Sequence, residues 1–181
     1  MDLSLFFAGT AGSVPTARRG LPAILLRRGA DRILFDCGEG TQRQLLRSVG
    51  LMDLTDIFIT HFHADHWLGL PGMLKTFDLR ARERPLTIYG PRGLGNILGS
   101  MRHVWGGIDY ELDIVELEPD EPVERDEYVI EPFPVNHRGA SSAAASRGPA
   151  GRRSSAVAPA RAGRTSSASP AGRASGRRGN A

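Results

Sequence analysis

The stretch ITHFHADHWLGLPG, residues 59–72, constrains this chain more than any other. An apolar run, Leu54–Thr60, has the length of a buried strand and gives way at once to His61, His63, Asp65 and His66. On an extended or tightly looped segment, His61 and His63 sit two apart and point the same way, which is enough to begin a metal site. Asp65 and His66 come from the following turn into a helix and can face a second ion. Zinc accepts imidazole nitrogen and carboxylate oxygen alike. A two-metal site activates water near neutral pH and clamps both oxygens of a phosphodiester displacement. Four such residues in six positions at a strand end argue against ordinary surface or hydrogen-bonded histidines.

Around this cluster the periodicity alternates between strand and helix. Leu3–Ala8 reads as a short strand, closed by the Gly-rich GTAGSVPTARRG. Ala23–Arg28 and Arg32–Asp36 read as a hairpin turning at Gly29-Ala30. Thr41–Val49 has helical spacing and stops at Gly50. Trp67–Leu79 is expected to be one helix, with Pro71-Gly72 distorting its first turns. Leu86–Tyr89, Leu112–Leu117 and Tyr128–Val135 are further expected strands, and Gly93–Val104 a helix. Interleaved strands and helices with strands in excess indicate an α/β or α+β sandwich. His137 follows the strand Tyr128–Val135, so it too lies at a strand end, where sites in layered folds gather. His103 reads as an ordinary helix residue.

Composition matters where it breaks. Residues 139–181 contain 13 Ala, 9 Ser, 8 Arg, 7 Gly and 3 Pro, and no acid, His, Cys or aromatic. They hold eight of the 23 basic residues and none of the 20 acidic ones, so residues 1–138 are net acidic and the high pI belongs to the tail. Nothing in the tail repeats with a hydrophobic period, and it is expected to be disordered. Its vocabulary is that of GC-rich codons read out of frame, which suggests a frameshifted end; a genuine low-complexity linker is the alternative. The division expected is therefore a domain over 1–138 and a tail over 139–181. Cys37 is the sole cysteine, so no intrachain disulfide can form. It reads as a packed residue rather than a nucleophile, since no base is evident beside it. The start, MDLSLFFAGTAG, lacks the basic region of a signal peptide, and no run approaches the ~18 apolar residues that span a bilayer. A soluble, cytoplasmic protein with no membrane partner is expected.

HFHADH matches the HxHxDH signature of the metallo-β-lactamase superfamily. The flanking FAGTAGSVPTARRGLPAILL, LFDCGEGTQRQL, YGPRGL and VNHR together resemble the ribonuclease Z family, endonucleases that mature tRNA 3′ ends. The resemblance covers about residues 1–138. It implies a metallo-β-lactamase-type αβ/βα sandwich, of which this chain carries the first half, and a homodimer acting on pre-tRNA. It also implies two zinc ions, one held by His61, His63 and His137, the other by Asp65 and His66, with Asp65 as proton acceptor for the attacking water. Asp36 and Glu39 of FDCGEG could orient ligands or merely shape their loop. GLGNILG, 93–99, lacks the spacing of a dinucleotide fingerprint.

The family draws a bridging aspartate, a last zinc histidine, a proton-donating histidine and a tRNA-gripping arm from its second half. After Arg138 this chain has no Asp, Glu, His or Cys. Those parts are therefore expected to be absent, the second zinc short of ligands, one sheet face uncovered, and the activity impaired. Two other functions compete. One is a sister hydrolase of the same fold, acting on a small phosphodiester, arylsulfate, lactone or thioester. The other is an inactive remnant whose Arg-rich tail binds nucleic acid through phosphates alone.

Overall fold

A computed structural model describes residues 2–51 and 53–135, together with the backbone of Ser142–Arg147 and Arg153–Val157. His137 lies outside the described residues. The first sheet has six strands in sequence order: β1 (Leu3–Gly9), β2 (Ala23–Arg28), β3 (Asp31–Phe35), β4 (Asp56–Phe58), β5 (Leu86–Gly90) and β6 (Leu112–Glu116). β1, β2 and β3 pair antiparallel, and β3 to β6 run parallel. The hairpin turns at Gly29-Ala30 as expected, Gly29 supplying the positive φ of 55°. The parallel strands are joined through helices: α1 (Thr41–Ser48) after β3; α2 (Ala64–Trp67) and α3 (Leu70–Leu79) after β4; α4 (Leu94–Ser100) and α5 (Arg102–Trp105) after β5.

Strand side chains alternate between two apolar layers, as a period of two requires. Leu25, Leu34, Ile57 and Ile88 pack with Leu45 of α1, Leu70, Met73, Leu74 and Phe77 of α3, and Leu94 and Leu98 of α4. Leu26, Ile33, Phe35 and Phe58 face the other way, where they meet Val123, Tyr128 and Ile130 of a second sheet. Burial on both faces explains why AILL, RILF and DIFIT are so apolar. On the second face Phe35, Phe58 and Tyr89 stack in a row, with centroid spacings of 5.4 and 4.5 Å.

The second sheet has the order β10-β9-β8-β7, antiparallel throughout: β7 (Val123–Arg125), β8 (Tyr128–Pro134), β9 (Ser142–Arg147) and β10 (Arg153–Val157). It packs on the face of the first sheet that carries Leu26, Ile33, Phe35 and Phe58. Polar ties fix it there. Arg125 reaches the buried Asp56 at 2.7 Å, the Tyr128 hydroxyl donates to Asp31 at 2.5 Å, and the Arg28 guanidinium lies 4.4 Å over the Tyr128 ring.

Some elements differ from the sequence expectation. The helix expected over 67–79 is two helices, broken at Leu68-Gly69, and Pro71 sits without penalty in the first turn of α3, where its missing N–H is no loss. The helix expected over 93–104 is likewise divided, at Met101. No strand was expected at Val123–Arg125, which is too short for its alternation to show. Within 139–181, β9 and β10 pair beside β8 through main-chain hydrogen bonds, which require no apolar side chains.

Candidate metal centre

The cluster forms where β4 ends. Ile59 donates its backbone N–H to Tyr89 and buries its side chain, so the chain leaves the sheet at Thr60 with His61 turned inward, 2 % exposed. His63 occupies the N-cap of α2 in extended conformation (φ −67°, ψ 138°), and the one turn of α2 carries Asp65 and His66. The structure thus brings together four of the five expected ligands. The fifth, His137, falls outside the described residues.

Asp36, at the end of β3, organises the group. It holds a left-handed conformation (φ 59°) that turns its buried carboxylate under the cluster. Oδ1 accepts the Thr60 backbone N–H at 2.8 Å and its hydroxyl at 2.9 Å, while Oδ2 lies 2.6 Å from Nδ1 of His66. The Thr60 hydroxyl oxygen in turn lies 3.0 Å from Nδ1 of His61. With both Nδ1 atoms directed at oxygen acceptors, the Nε2 lone pairs of His61 and His66 are the ones left for a cation. Burial alone would lower the pKa of His66. The hydrogen bond and charge of Asp36, with the charge of Asp65, outweigh it and raise that pKa.

Nε2 of His61 and Nδ1 of His63 are 3.2 Å apart. Two nitrogens on one tetrahedral zinc, each at 2.0–2.1 Å, stand about 3.3 Å apart. Nε2 of His66 and Oδ2 of Asp65 are 3.6 Å apart, and that carboxylate oxygen also accepts the Ser13 backbone N–H at 2.9 Å. Each pair therefore has the spacing of two ligands on one cation, and His61 also lies beside His66, with ring centroids 4.0 Å apart. Among the described residues no group of three or more His, Cys, Asp or Glu is gathered to hold one ion. Each pair needs a further ligand.

Two glycines let the parts approach. A Cβ on Gly38 would strike the Asp65 carbonyl, and one on Gly69 would strike the Gly38 carbonyl. Between them Cys37 donates its N–H to His66 at 2.7 Å and accepts from Gly69 at 2.9 Å, so the FDCGEG turn is bound flat against α2. The Cys37 thiol is fully buried, and burial with the Asp36 charge pushes its pKa up, which suits a packed residue. Glu39 is exposed and His103 lies exposed on α5, away from the cluster. Thr60 and the Ser13 N–H were not anticipated: a hydroxyl and a main-chain donor carry no distinctive sequence pattern.

The metallo-beta-lactamase superfamily profile matches residues 19–146, most of the chain and all of the cluster. The chain belongs to the metallo-beta-lactamase superfamily. Within this superfamily it is similar to proteins named ribonuclease Z. One from Methanosarcina mazei is 42 % identical over 137 residues, which are 75 % of this chain and 45 % of the relative. Another from Gemmatimonas aurantiaca is 44 % identical over 144 residues, 78 % of this chain and 46 % of the relative. The chain spans less than half the length of these curated relatives. Among solved structures, the short form of human tRNase Z superposes with a TM-score of 0.71 at 33 % identity, covering 80 % of this chain and 64 % of that one. YhfI from Bacillus subtilis, at 20 % identity and a TM-score of 0.64, shares the fold.

Proposed function

We propose that this site belongs to a zinc-dependent endoribonuclease that removes 3′ trailers from pre-tRNA and leaves a 3′ hydroxyl on the tRNA. The observation that carries the reading is the similarity at 42–44 % identity to proteins named ribonuclease Z. Bound zinc would supply Lewis acidity and lower the pKa of water. His61 and His63 would hold one ion, Asp65 and His66 the other, and Asp65 would accept the proton of the attacking water. Thr60 and Asp36 would keep the imidazoles in the ligating tautomer, and the Ser13 N–H would fix the Asp65 carboxylate. We assign His137 to the first ion as third ligand. β8 begins beside Asp31 and Asp56, at the end of the first sheet remote from the cluster. Sandwiched sheets keep their strands within about 30° of one another, so seven residues of β8 carry the chain toward the cluster before His137. A homodimer in the cytoplasm is the setting this reading implies; no described helix is long and apolar enough to cross a membrane.

The test is a chimera in which residues 1–138 replace the matching part of the Methanosarcina mazei relative. Cleavage of pre-tRNA that vanishes with Asp65→Ala supports the reading. Hydrolysis of an arylsulfate, lactone or thioester without pre-tRNA cleavage would assign the site to a sister hydrolase instead.

A further inference from the structure

β4 and β5 run parallel, so the segments leading into them meet at the end of the sheet opposite the histidine cluster. Between those segments lies a cavity of about 530 Å³, lined by Arg80, Arg82, Arg84, Asp53, Glu83 and Phe77 among others. Arg82 is its buried member, with a side chain 2 % exposed and the guanidinium 5.0 Å over the Phe77 ring. Its Nε donates to the Arg84 carbonyl at 2.7 Å, and its Nη2 to the carbonyls of Leu54 at 2.6 Å and Pro85 at 2.8 Å. Nη1 is poorly served: its contact is Asp53 at 3.4 Å, a carboxylate 62 % exposed. Arg84 is 59 % exposed and reaches Asp53 only at 4.0 Å. Arg80 is exposed and its guanidinium makes no ion pair among the described residues. Ala81 holds φ at 52°, a left-handed turn that costs an L-residue energy and sets this run of arginines around the opening. Burial, and to a lesser degree Arg84, lowers the pKa of Arg82 even with Asp53 nearby.

We propose that this cavity binds a phosphate group carried on a nucleoside-sized organic body. Arg80 and Arg84 stand exposed at one opening with Arg82 buried behind them, and guanidinium forks match phosphate oxygens. The volume far exceeds a bare oxyanion and falls in the range of small-molecule sites. Asp53 and Glu83, which repel a bare phosphate, give acceptors for the hydroxyl or amino groups that such a body carries. The phosphate belongs to a free nucleotide or to an RNA chain passing over this end of the molecule.

Isothermal titration of the full chain with adenosine monophosphate, inorganic phosphate and a short unstructured RNA tests this. Arg80→Ala/Arg84→Ala should weaken binding of the nucleotide or the RNA by roughly tenfold or more, the scale of losing charge-assisted hydrogen bonds. Arg80→Lys/Arg84→Lys, which keeps the charges, should fall between, and Arg102→Ala, an exposed arginine of α5 outside this lining, should bind like the parent. Nucleotide binding lost in the alanine variant identifies a free nucleotide; RNA binding alone lost there identifies RNA phosphates. Three results would overturn the proposal: no binding of nucleotide or RNA, binding unchanged in the alanine variant, or inorganic phosphate bound as tightly as the nucleotide. Circular dichroism checks the fold of the variants, whose altered side chains lie on the surface.

Discussion

His61 and His63 differ from His66 in what each could keep if one were lost. In the proposed grouping the first two would share an ion with His137 as third ligand, whereas His66 would share its ion with Asp65. His61→Ala or His63→Ala is therefore expected to lower zinc content more than His66→Ala. Metal analysis of the purified variants decides it, and equal losses would show the ligands to be wrongly grouped. The gathering of His61, His63, Asp65 and His66 was legible because imidazole and carboxylate at this spacing have few other uses. Their orienting partners were only half legible. Asp36 stood out by its place in FDCGEG, but Thr60 acts through one hydroxyl and Ser13 through a main-chain N–H, and both depend on distant segments meeting.

At the scale of elements, the break between α2 and α3 is a docking surface made of backbone. Gly69→Ala should destabilise the fold by about 1–3 kcal/mol, because its methyl must displace the Gly38 carbonyl. Gly72→Ala, three residues on, meets nothing within 4 Å and should stabilise by about 0.5–1 kcal/mol through helix propensity. Denaturant midpoints of the two variants should move in opposite directions. The C-terminal end of α3 carries a pH-dependent tie. Lys75 donates to Asp78 at 2.6 Å and the Asp109 N–H donates to it at 2.7 Å, holding its carboxyl below the usual aspartate range. A depressed folded-state pKa stabilises above the unfolded value, ~3.9, and that contribution disappears as pH falls through the folded one. Asp78→Asn should thus lower Tm at pH 7, with the deficit closing below about pH 4. Strand positions were legible wherever apolar runs were long. The helix break at Gly69 was not, because nothing in the periodicity records the Gly38 backbone against it.

For the whole molecule, catalysis is where composition and structure meet. The 181-residue chain is expected to cleave pre-tRNA little or not at all. Asp65 and His66 are the only ligands proposed for the second ion, and residues after Arg138 include no carboxylate or imidazole to join them or to protonate the leaving oxygen. Loss of general acid catalysis alone costs roughly 10²–10⁴-fold. An assay with excess zinc or manganese, beside Asp65→Ala, checks it; robust Asp65-dependent cleavage would mean that two copies complete one another. The support that Asp36 gives His66 from thirty residues away has a thermodynamic side. The unfolded chain keeps His61, His63, Asp65 and His66 close in sequence but loses that support, so zinc is expected to bind the folded chain more tightly and to stabilise it by that difference in affinity. Tm should climb with free zinc and drop under a chelator, and the melting curve becomes a binding isotherm that needs no substrate.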